Sequence, residues 1–370
     1  MNGPGDEAMS RSLPATSEGL FGVYVHIPFC RHRCDYCAFA TFTDKDHIIA
    51  EYLSAMSREI ELATDVPDST SIFVGGGTPT RVPPRDLVAV LSCVRRTTDA
   101  EVTIECNPDD VSEESFRIYA SAGVNRISLG VQSMRVHVLQ SLGRTHDPEN
   151  VRRAVESARA AGIDNINLDI IYGAHGESLD DWEATVRGVI ALEPDHVSAY
   201  GLTVEAGTPL AEDRARHPDD DVQAEMYDCV DDILGSSGFA NYEVSNWAKP
   251  NRESRHNFTY WLQGDYRGFG TAAHSHHRGA RWWNVRTPER YIELVRERGE
   301  AESAREVLDE EQQRIESLQL VLRTRLGVPI DAFAPDDLAL MEDLVVSDGE
   351  RVRLTRAGRL LANEVSMRLR

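Results

Sequence analysis

Short apolar segments alternate with longer segments of helical periodicity through the first two thirds of the chain, and this alternation limits the fold more than any other feature. Strands are predicted at residues 22–27, 71–75, 102–106, 125–130, 166–171 and 196–201. Helices are predicted at residues 44–63, 84–96, 112–122, 148–161, 179–191 and 221–235. A chain that repeats strand and helix in this way forms a parallel sheet with helices outside it. The sequence therefore predicts an α/β fold, a partial (β/α)6 barrel similar to the eight-fold TIM barrel.

The sequence pattern divides the chain into four regions. Residues 1–18 are polar and are predicted to form a disordered tail, and residues 19–240 form the barrel. Residues 241–288 are rich in aromatic residues, histidine and glycine, and we interpret them as a ligand-binding segment. Residues 289–370 combine charged helices with a β-hairpin that turns at Asp348-Gly349. They are predicted to form a small, winged-helix-like α+β domain.

Three cysteines, Cys30, Cys34 and Cys37, follow the first predicted strand with the spacing C-x3-C-x2-C. Three thiolates on one loop can hold three irons of a four-iron cluster and leave the fourth iron open, whereas ordinary electron-transfer clusters use four cysteines. The alternative is a zinc site with His26 or His32 as the fourth ligand, although structural zinc sites prefer four closed ligands. The other cysteines are scattered at Cys93, Cys106 and Cys229. The clustering of three thiols at one place favours metal binding in a reducing compartment over a disulfide framework.

Polar or glycine-rich signals also follow the next four strands, where functional groups of such barrels gather. These signals are Gly75-Gly76-Gly77-Thr78-Pro79-Thr80, Glu105 with Asn107, Gln132 and Asp169. The glycine run has no phosphate-binding lysine, and it is either a tight turn or a backbone edge that a ligand's amino group can approach. Glu105, Gln132 and Asp169 could accept hydrogen bonds from ribose hydroxyls and an ammonium, and Arg144 could bind a carboxylate. Each of these side chains could equally be solvated or ion-paired.

Charge and hydropathy exclude two classes of partner. The formal net charge of −22 argues against nucleic acid, because phosphate binding needs a basic surface. No run approaches the ~20 apolar residues that a membrane-spanning helix needs. Residues 1–18 also lack the apolar core of a signal peptide. We therefore expect a cytoplasmic protein without a membrane anchor.

With these motifs in order along the chain, the sequence resembles the radical S-adenosylmethionine (SAM) superfamily. More narrowly, it resembles the branch that contains oxygen-independent coproporphyrinogen III oxidase and the haem chaperone HemW. The segments that carry this resemblance are residues 24–30, 75–80, 105–108, 128–133, 167–173, 242–246 and 256–261.

The resemblance implies that Cys30, Cys34 and Cys37 bind a 4Fe-4S cluster whose open iron chelates SAM. It also assigns SAM contacts by position. These positions are Tyr24, Tyr36, Gly76, Gly77, Thr78, Glu105, Gln132, Arg144 and Asp169. In such proteins a reduced cluster cleaves SAM to a radical, so an electron donor is an expected partner.

Two departures from the oxidase pattern favour the HemW type. The oxidase has a further cysteine two places after the third, where this chain has Phe39, and it has a longer segment before its cluster. The HemW resemblance implies that His256 binds the iron of haem carried as cargo, which imidazole can do. The alternative for His256 is a hydrogen-bonded histidine in an aromatic patch.

The HemW resemblance implies a haem chaperone that delivers haem to respiratory haem proteins, with a peripheral association at the membrane. The second hypothesis is an enzyme that decarboxylates coproporphyrinogen III to protoporphyrinogen IX, and a zinc-binding structural protein is the third. Whether the chain is an enzyme stays open at this point.

Overall fold

Six parallel strands form the wall of a partial barrel in the computed structural model, which describes residues 16–370. They are β1 (Phe21–Ile27), β2 (Ser69–Gly76), β3 (Arg96–Cys106), β4 (Arg126–Gln132), β5 (Asn165–Tyr172) and β6 (His196–Gly201). Each pairs in parallel with the next strand along the chain. The predicted α/β partial barrel is thus confirmed, and every predicted strand lies within an observed one or within one residue of it.

Helices connect these strands and cover the outer face of the sheet. Those of the barrel are α1 (Ile49–Leu62), α2 (Pro84–Ser92), α3 (Glu113–Ser121), α4 (Val136–Ser141), α5 (Pro148–Ala160), α6 (Leu179–Ile190), α7 (Pro209–Glu212) and α8 (Asp220–Ser236). The predicted helix over residues 44–63 begins later than expected, because a 3-10 turn at Asp46–Ile48 precedes it. The short helices α4 and α7 had no counterpart among the predictions.

Alternation along β1 shows how the strands position inward and outward side chains. Val23, Val25 and Ile27 join the hydrophobic core with the fully buried Tyr52 and Met56 of α1. The intervening residues point to the opposite face, because successive side chains of a strand alternate. Full burial of such an aliphatic side chain stabilises the fold by about 1.5–3 kcal/mol.

Residues 240–307 extend both edges of the barrel sheet. On the β6 side they supply β7 (Ala240–Glu243) and β8 (Asn246–Ala248), and α9 (Arg255–Trp261) follows. On the other side β9 (Asp265–Phe269) pairs in parallel with β1. The remaining edge elements are β10 (His274–His277), β11 (Ala280–Asn284), α10 (Pro288–Arg298) and β12 (Glu302–Val307). Within residues 16–370 the barrel sheet therefore has twelve strands, in the order β12-β11-β10-β9-β1-β2-β3-β4-β5-β6-β8-β7.

A small C-terminal unit has its own sheet and its own hydrophobic cluster. Its elements are α11 (Glu310–Leu322), β13 (Val328–Pro329), α12 (Pro335–Leu340), β14 (Val345–Ser347), β15 (Arg351–Leu354), α13 (Arg356–Leu360) and α14 (Ala362–Ser366). The expected hairpin is present between β14 and β15, and Gly349 in its turn has a φ of +94°. The helical stretch that follows the hairpin is divided at Leu361 into α13 and α14.

Of the predicted tail, residues 1–15 lie outside the described part of the chain. Among the described helices, none combines the length and the apolar character needed to cross a membrane.

Candidate metal centre and cofactor cavity

A cavity of about 510 Å³ opens at the carboxyl ends of the barrel strands. The predicted cluster and SAM residues other than Tyr24 all line it. They are Cys30, Cys34, Tyr36, Cys37, Gly76, Gly77, Thr78, Glu105, Gln132, Arg144 and Asp169. The parallel barrel brings them together because the ends of neighbouring strands meet at one rim.

The cysteine loop is closed by backbone hydrogen bonds at its two ends. The Cys30 N–H donates to the Phe42 carbonyl (3.0 Å), and the Phe42 N–H donates to the Pro28 carbonyl (2.8 Å). Cys30 is buried at the base of the loop, whereas Cys34 and Cys37 are partly exposed. Burial, with the nearby thiols adding to it, raises the pKa of Cys30 to about 11. A thiol with this pKa is protonated at neutral pH, so iron binding must displace the Cys30 proton.

The glycine run fits tightly against this loop. A Cβ on Gly77 would lie 2.8 Å from the carbonyl oxygens of Ile27 and Phe29 and 3.0 Å from the Cys30 sulfur. Gly76 has a φ of +109°, and a Cβ there would lie 2.5 Å from the His26 ring. The hydroxyl of Thr78 donates to the Cys30 sulfur at 3.6 Å. The loop and the glycine run thus form one cradle whose shape requires glycine, and three thiols around one cavity fit a 4Fe-4S cluster.

The two histidines considered as a fourth zinc ligand, His26 and His32, are not placed to complete a zinc site. Nε2 of His26 lies 3.0 Å from the Ala40 carbonyl, which can only accept, so Nδ1 accepts from the Tyr24 hydroxyl at 3.0 Å. His26 therefore has no free nitrogen, and His32 is exposed. Within residues 16–370, no three His, Cys, Asp or Glu side chains converge as ligands of one ion. A four-iron cluster needs no such convergence, because each thiolate binds a different iron. Tyr24 itself supports His26 and does not line the cavity.

Two carboxylates face the cavity in different environments. Glu105 accepts a hydrogen bond from the Gly76 N–H (3.1 Å), yet desolvation and the charge of Asp169 raise its pKa to about 8. Asp169 accepts hydrogen bonds from the Ser128 hydroxyl (2.6 Å) and the Asn167 amide (2.8 Å). Asp169 is therefore fixed in orientation, whereas this pKa makes Glu105 a mostly neutral acid at pH 7.

Backbone irregularity directs Gln132 toward the cavity. The pairing of β4 with β5 shifts register between Gly130 and Gln132, and Gln132 has a φ of +61°. Such a bulge re-aims a side chain at the end of a strand. A Cβ on Gly130 would lie 3.0 Å from the Gln132 amide nitrogen and 3.4 Å from an Arg144 nitrogen. Glycine at position 130 thus leaves room for both side chains.

Arg144 and Tyr36 form a pair beside the cysteine loop. The Arg144 guanidinium donates a hydrogen bond to Tyr36, and its charge partly offsets the desolvation that raises the pKa of Tyr36 to about 12. In the described part of the chain, Nε of Arg144 is buried without a hydrogen-bond partner. A cation with unused donors in this cavity suits a ligand carboxylate.

His256 lies away from this cavity, in an aromatic cluster of the barrel. Its Nδ1 lies 2.9 Å from the Ser71 hydroxyl and its Nε2 lies 2.8 Å from the Tyr260 hydroxyl. The ring stacks on Phe73 with centroids 5.4 Å apart, and the residue is 1% exposed. In this arrangement both nitrogens of His256 are engaged, so iron ligation by His256 stays a prediction.

Several residues that line the cavity were not predicted from the sequence to do so. Phe39 lies on the cysteine loop, Tyr200 and Leu202 lie at the end of β6, and His146 precedes α5. Tyr200 could have been predicted to line the cavity from its position at the end of a predicted strand, because every barrel strand contributes to the same rim. No sequence pattern pointed to His146.

The comparisons with known proteins agree with this geometry. The Radical SAM superfamily matches residues 24–189. "Heme chaperone HemW" from Mycobacterium tuberculosis is 40% identical, with 96% of this chain and 98% of that protein covered. The protein of the same name from Bacillus subtilis is 36% identical, with 92% and 97% covered.

A eukaryotic relative and a solved structure extend the comparison. "Radical S-adenosyl methionine domain-containing protein 1, mitochondrial" from Danio rerio is 34% identical, with 83% of this chain and 73% of that protein covered. The structure of coproporphyrinogen III oxidase (HemN) from Escherichia coli has a TM-score of 0.81 at 24% identity, with 98% and 91% covered, and it shows the shared fold. The resemblance predicted from the motifs is thus confirmed, and the chain belongs to the HemW family of the radical SAM superfamily.

Proposed function

We propose that this protein is a haem chaperone that carries a 4Fe-4S cluster, binds SAM and delivers haem to haem proteins. The observation that carries the proposal is its likeness, over nearly the whole chain, to proteins named as haem chaperones. Phe39 stands where the oxidase pattern has a further cysteine, and this supports the chaperone over the enzyme.

Each group in the cavity has a distinct part in this proposal. Cys30, Cys34 and Cys37 hold the cluster, which when bound supplies an open iron for SAM. Arg144 binds the SAM carboxylate, because its guanidinium has donors to spare beside the cysteine loop. The backbone at Gly76 and Gly77 lets the SAM amino group approach, since no Cβ intervenes.

The remaining polar groups hold the adenosyl part. Asp169 and Gln132 face the cavity as acceptors for ribose hydroxyls or the adenine amine. Glu105 lies close to the glycine run, where a bound ammonium would favour its ionised form over its neutral form. Thr78 stabilises Cys30 and completes the cradle. Tyr36 keeps Arg144 in place, and Tyr24 acts through His26.

Haem enters the proposal as cargo, and two places suit it. Of the large hydrophobic side chains exposed within residues 16–370, the aromatic ones are Phe39 (69%) and Tyr200 (41%), and both line the cavity. Exposed aromatic rings at a cavity mouth suit a flat macrocycle. His256 would have to exchange its bond to Ser71 or Tyr260 for a bond to iron.

Anaerobic haem titration of the reconstituted protein tests the proposal. We expect wild-type protein to bind one haem per chain and to form no protoporphyrinogen from coproporphyrinogen III. His256→Ala measured alongside shows whether this histidine holds the iron. Stoichiometric decarboxylation, or no haem binding by the wild-type protein, would refute the chaperone proposal.

Location and partners complete the proposal. We place the protein in the cytoplasm, with an electron donor for the cluster and transient contact with respiratory haem proteins that receive the haem. Fractionation of cells that express the tagged protein tests the location, with recovery in the cytosolic fraction expected.

A further inference from the structure

His146 is a buried histidine in the loop between α4 and α5, directly before Asp147, which caps α5. It is 5% exposed and lines the same cavity as Arg144. Its Nε2 lies 3.0 Å from the Val131 carbonyl oxygen. Because a carbonyl can only accept, Nε2 carries the hydrogen and Nδ1 of the neutral ring bears a lone pair.

This lone pair has no partner in the described part of the protein. Nδ1 of His146 is buried without a hydrogen bond, whereas both nitrogens of His256 are engaged. Burial, with the charge of Arg144 adding to it, lowers the pKa of His146 to about 4, although Asp109, Asp147 and the Val131 bond oppose the shift. The ring is therefore neutral at pH 7. A buried acceptor without a donor is unfavourable, and a hydrogen-bond donor on a ligand would satisfy it.

We propose that His146 is a further cofactor-binding residue, whose Nδ1 accepts a hydrogen bond from an N–H or O–H group of SAM in the cavity. The inference rests on the proposed binding of SAM. SAM carries such donors on its ammonium, its ribose and its adenine, and Arg144 two residues away is placed to bind the same ligand.

His276 offers a comparison within the same chain. Its Nε2 is also buried without a partner while Nδ1 lies 3.1 Å from the Gly264 carbonyl, but His276 does not line the cavity. An unpartnered nitrogen alone does not distinguish the two histidines. The feature that distinguishes His146 is its position in the cavity lining beside Arg144.

Two substitutions at His146 separate ligand binding from support of the loop. His146→Gln places an amide near Nε2, so it keeps a donor for Val131 but loses the acceptor at Nδ1. His146→Asn places an amide oxygen near Nδ1, so it keeps the acceptor but loses the donor. With anaerobically reconstituted protein, we expect His146→Gln to weaken SAM binding by about tenfold and His146→Asn to stay within about threefold of wild type.

Iron and sulfide content, thermal unfolding and haem affinity of both variants are measured as controls, and we expect them to stay near wild type. The reverse order, with Asn weak and Gln intact, would assign His146 to support of Val131 and overturn the inference. Unchanged SAM affinity in both variants, or a change in haem affinity alone, would also overturn it. If wild-type protein itself fails to bind SAM, the proposed function has failed, and this is seen before any variant is compared.

Discussion

At the scale of single residues, the cavity combines a carboxylate that is ready to accept with a carboxyl group that still holds its proton. Asp169 receives two donors from Ser128 and Asn167. Glu105 receives one backbone donor and faces the charge of Asp169, which together with desolvation raises its pKa to about 8. Binding a cation beside Glu105 must therefore change its protonation.

The pH dependence of SAM binding follows from this. Below pH 8 Glu105 is mostly protonated, and a bound ammonium favours its carboxylate form, so binding releases a proton. We expect SAM affinity to rise as pH rises from 6.5 toward 8 and to level off above it. Isothermal titration in two buffers with different ionisation heats measures the protons released.

Glu105→Gln should remove this proton release, whereas Glu205→Gln, at another residue that lines the cavity, should keep it. Equal proton release in wild type and Glu105→Gln would contradict the assignment.

Gly77 supports a second prediction at this scale. Gly77→Ala would bring a methyl group to 2.8 Å from two carbonyl oxygens beside Cys30, and relief by backbone movement costs about 1–3 kcal/mol. We expect a lower iron and sulfide content after reconstitution. Gly235→Ala is the control, because nothing lies within 4 Å of a Cβ there. Equal iron content in both variants would show that the glycine run does not shape the cluster site.

At the scale of elements, a buried hydrogen-bond network joins β5, β6 and β7 beneath the cavity. The Asn167 oxygen lies 2.6 Å from Nδ1 of His196, and Nε2 of His196 lies 2.7 Å from the Tyr242 hydroxyl. The Tyr242 hydroxyl in turn accepts from the Ser254 N–H at 3.3 Å, at the start of α9. The network therefore connects the support of Asp169 to the helix that carries His256.

His196→Leu should lower the free energy of unfolding by about 2–4 kcal/mol, because it leaves buried groups on Asn167 and Tyr242 without partners. Urea unfolding measures the change. His175→Leu, at an exposed histidine, is the control and should have little effect. An equal loss of stability in the two variants would show that the hydrogen-bond network does not contribute to the free energy of unfolding.

The sequence predicts the barrel elements well for a physical reason. β6 was predicted at its observed bounds, because a short run of strand-forming residues between turn-forming residues determines a buried strand locally. The edge strand β9 was not predicted, since its pairing with β1 joins distant parts of the chain. The orientation of the Gln132 side chain could not be predicted from the sequence either, because it depends on a bulge that forms only when β4 pairs with β5.

At the scale of the whole molecule, an ion-pair cluster holds the C-terminal unit against α8. Asp231 binds Arg356 (2.7 Å) and Arg359 (2.6 Å), and Asp231 also accepts a hydrogen bond from the Trp247 indole (2.8 Å). The side chains of Asp231 and Arg359 are 12% and 14% exposed, so solvent screens their attraction less than that of a surface pair.

Asp231→Asn should loosen this contact by about 1–2 kcal/mol. We expect faster amide hydrogen exchange in α13 with little change in β1 to β6. Asp228→Asn is the matched control, because Asp228 lies 3.9 Å from Arg356 and is 53% exposed. Exchange that is equally fast in both variants would contradict a role for Asp231 in docking the unit.

Electron paramagnetic resonance of the reduced, anaerobically reconstituted protein, recorded with and without SAM, tests most directly whether three thiolates hold a four-iron cluster with one open iron. We predict a reduced 4Fe-4S signal that SAM alters, that is lost in Cys30→Ser, Cys34→Ser and Cys37→Ser, and that survives in Cys93→Ser and Cys229→Ser. A signal that persists without the three loop cysteines, or one that SAM leaves unchanged, would contradict this site.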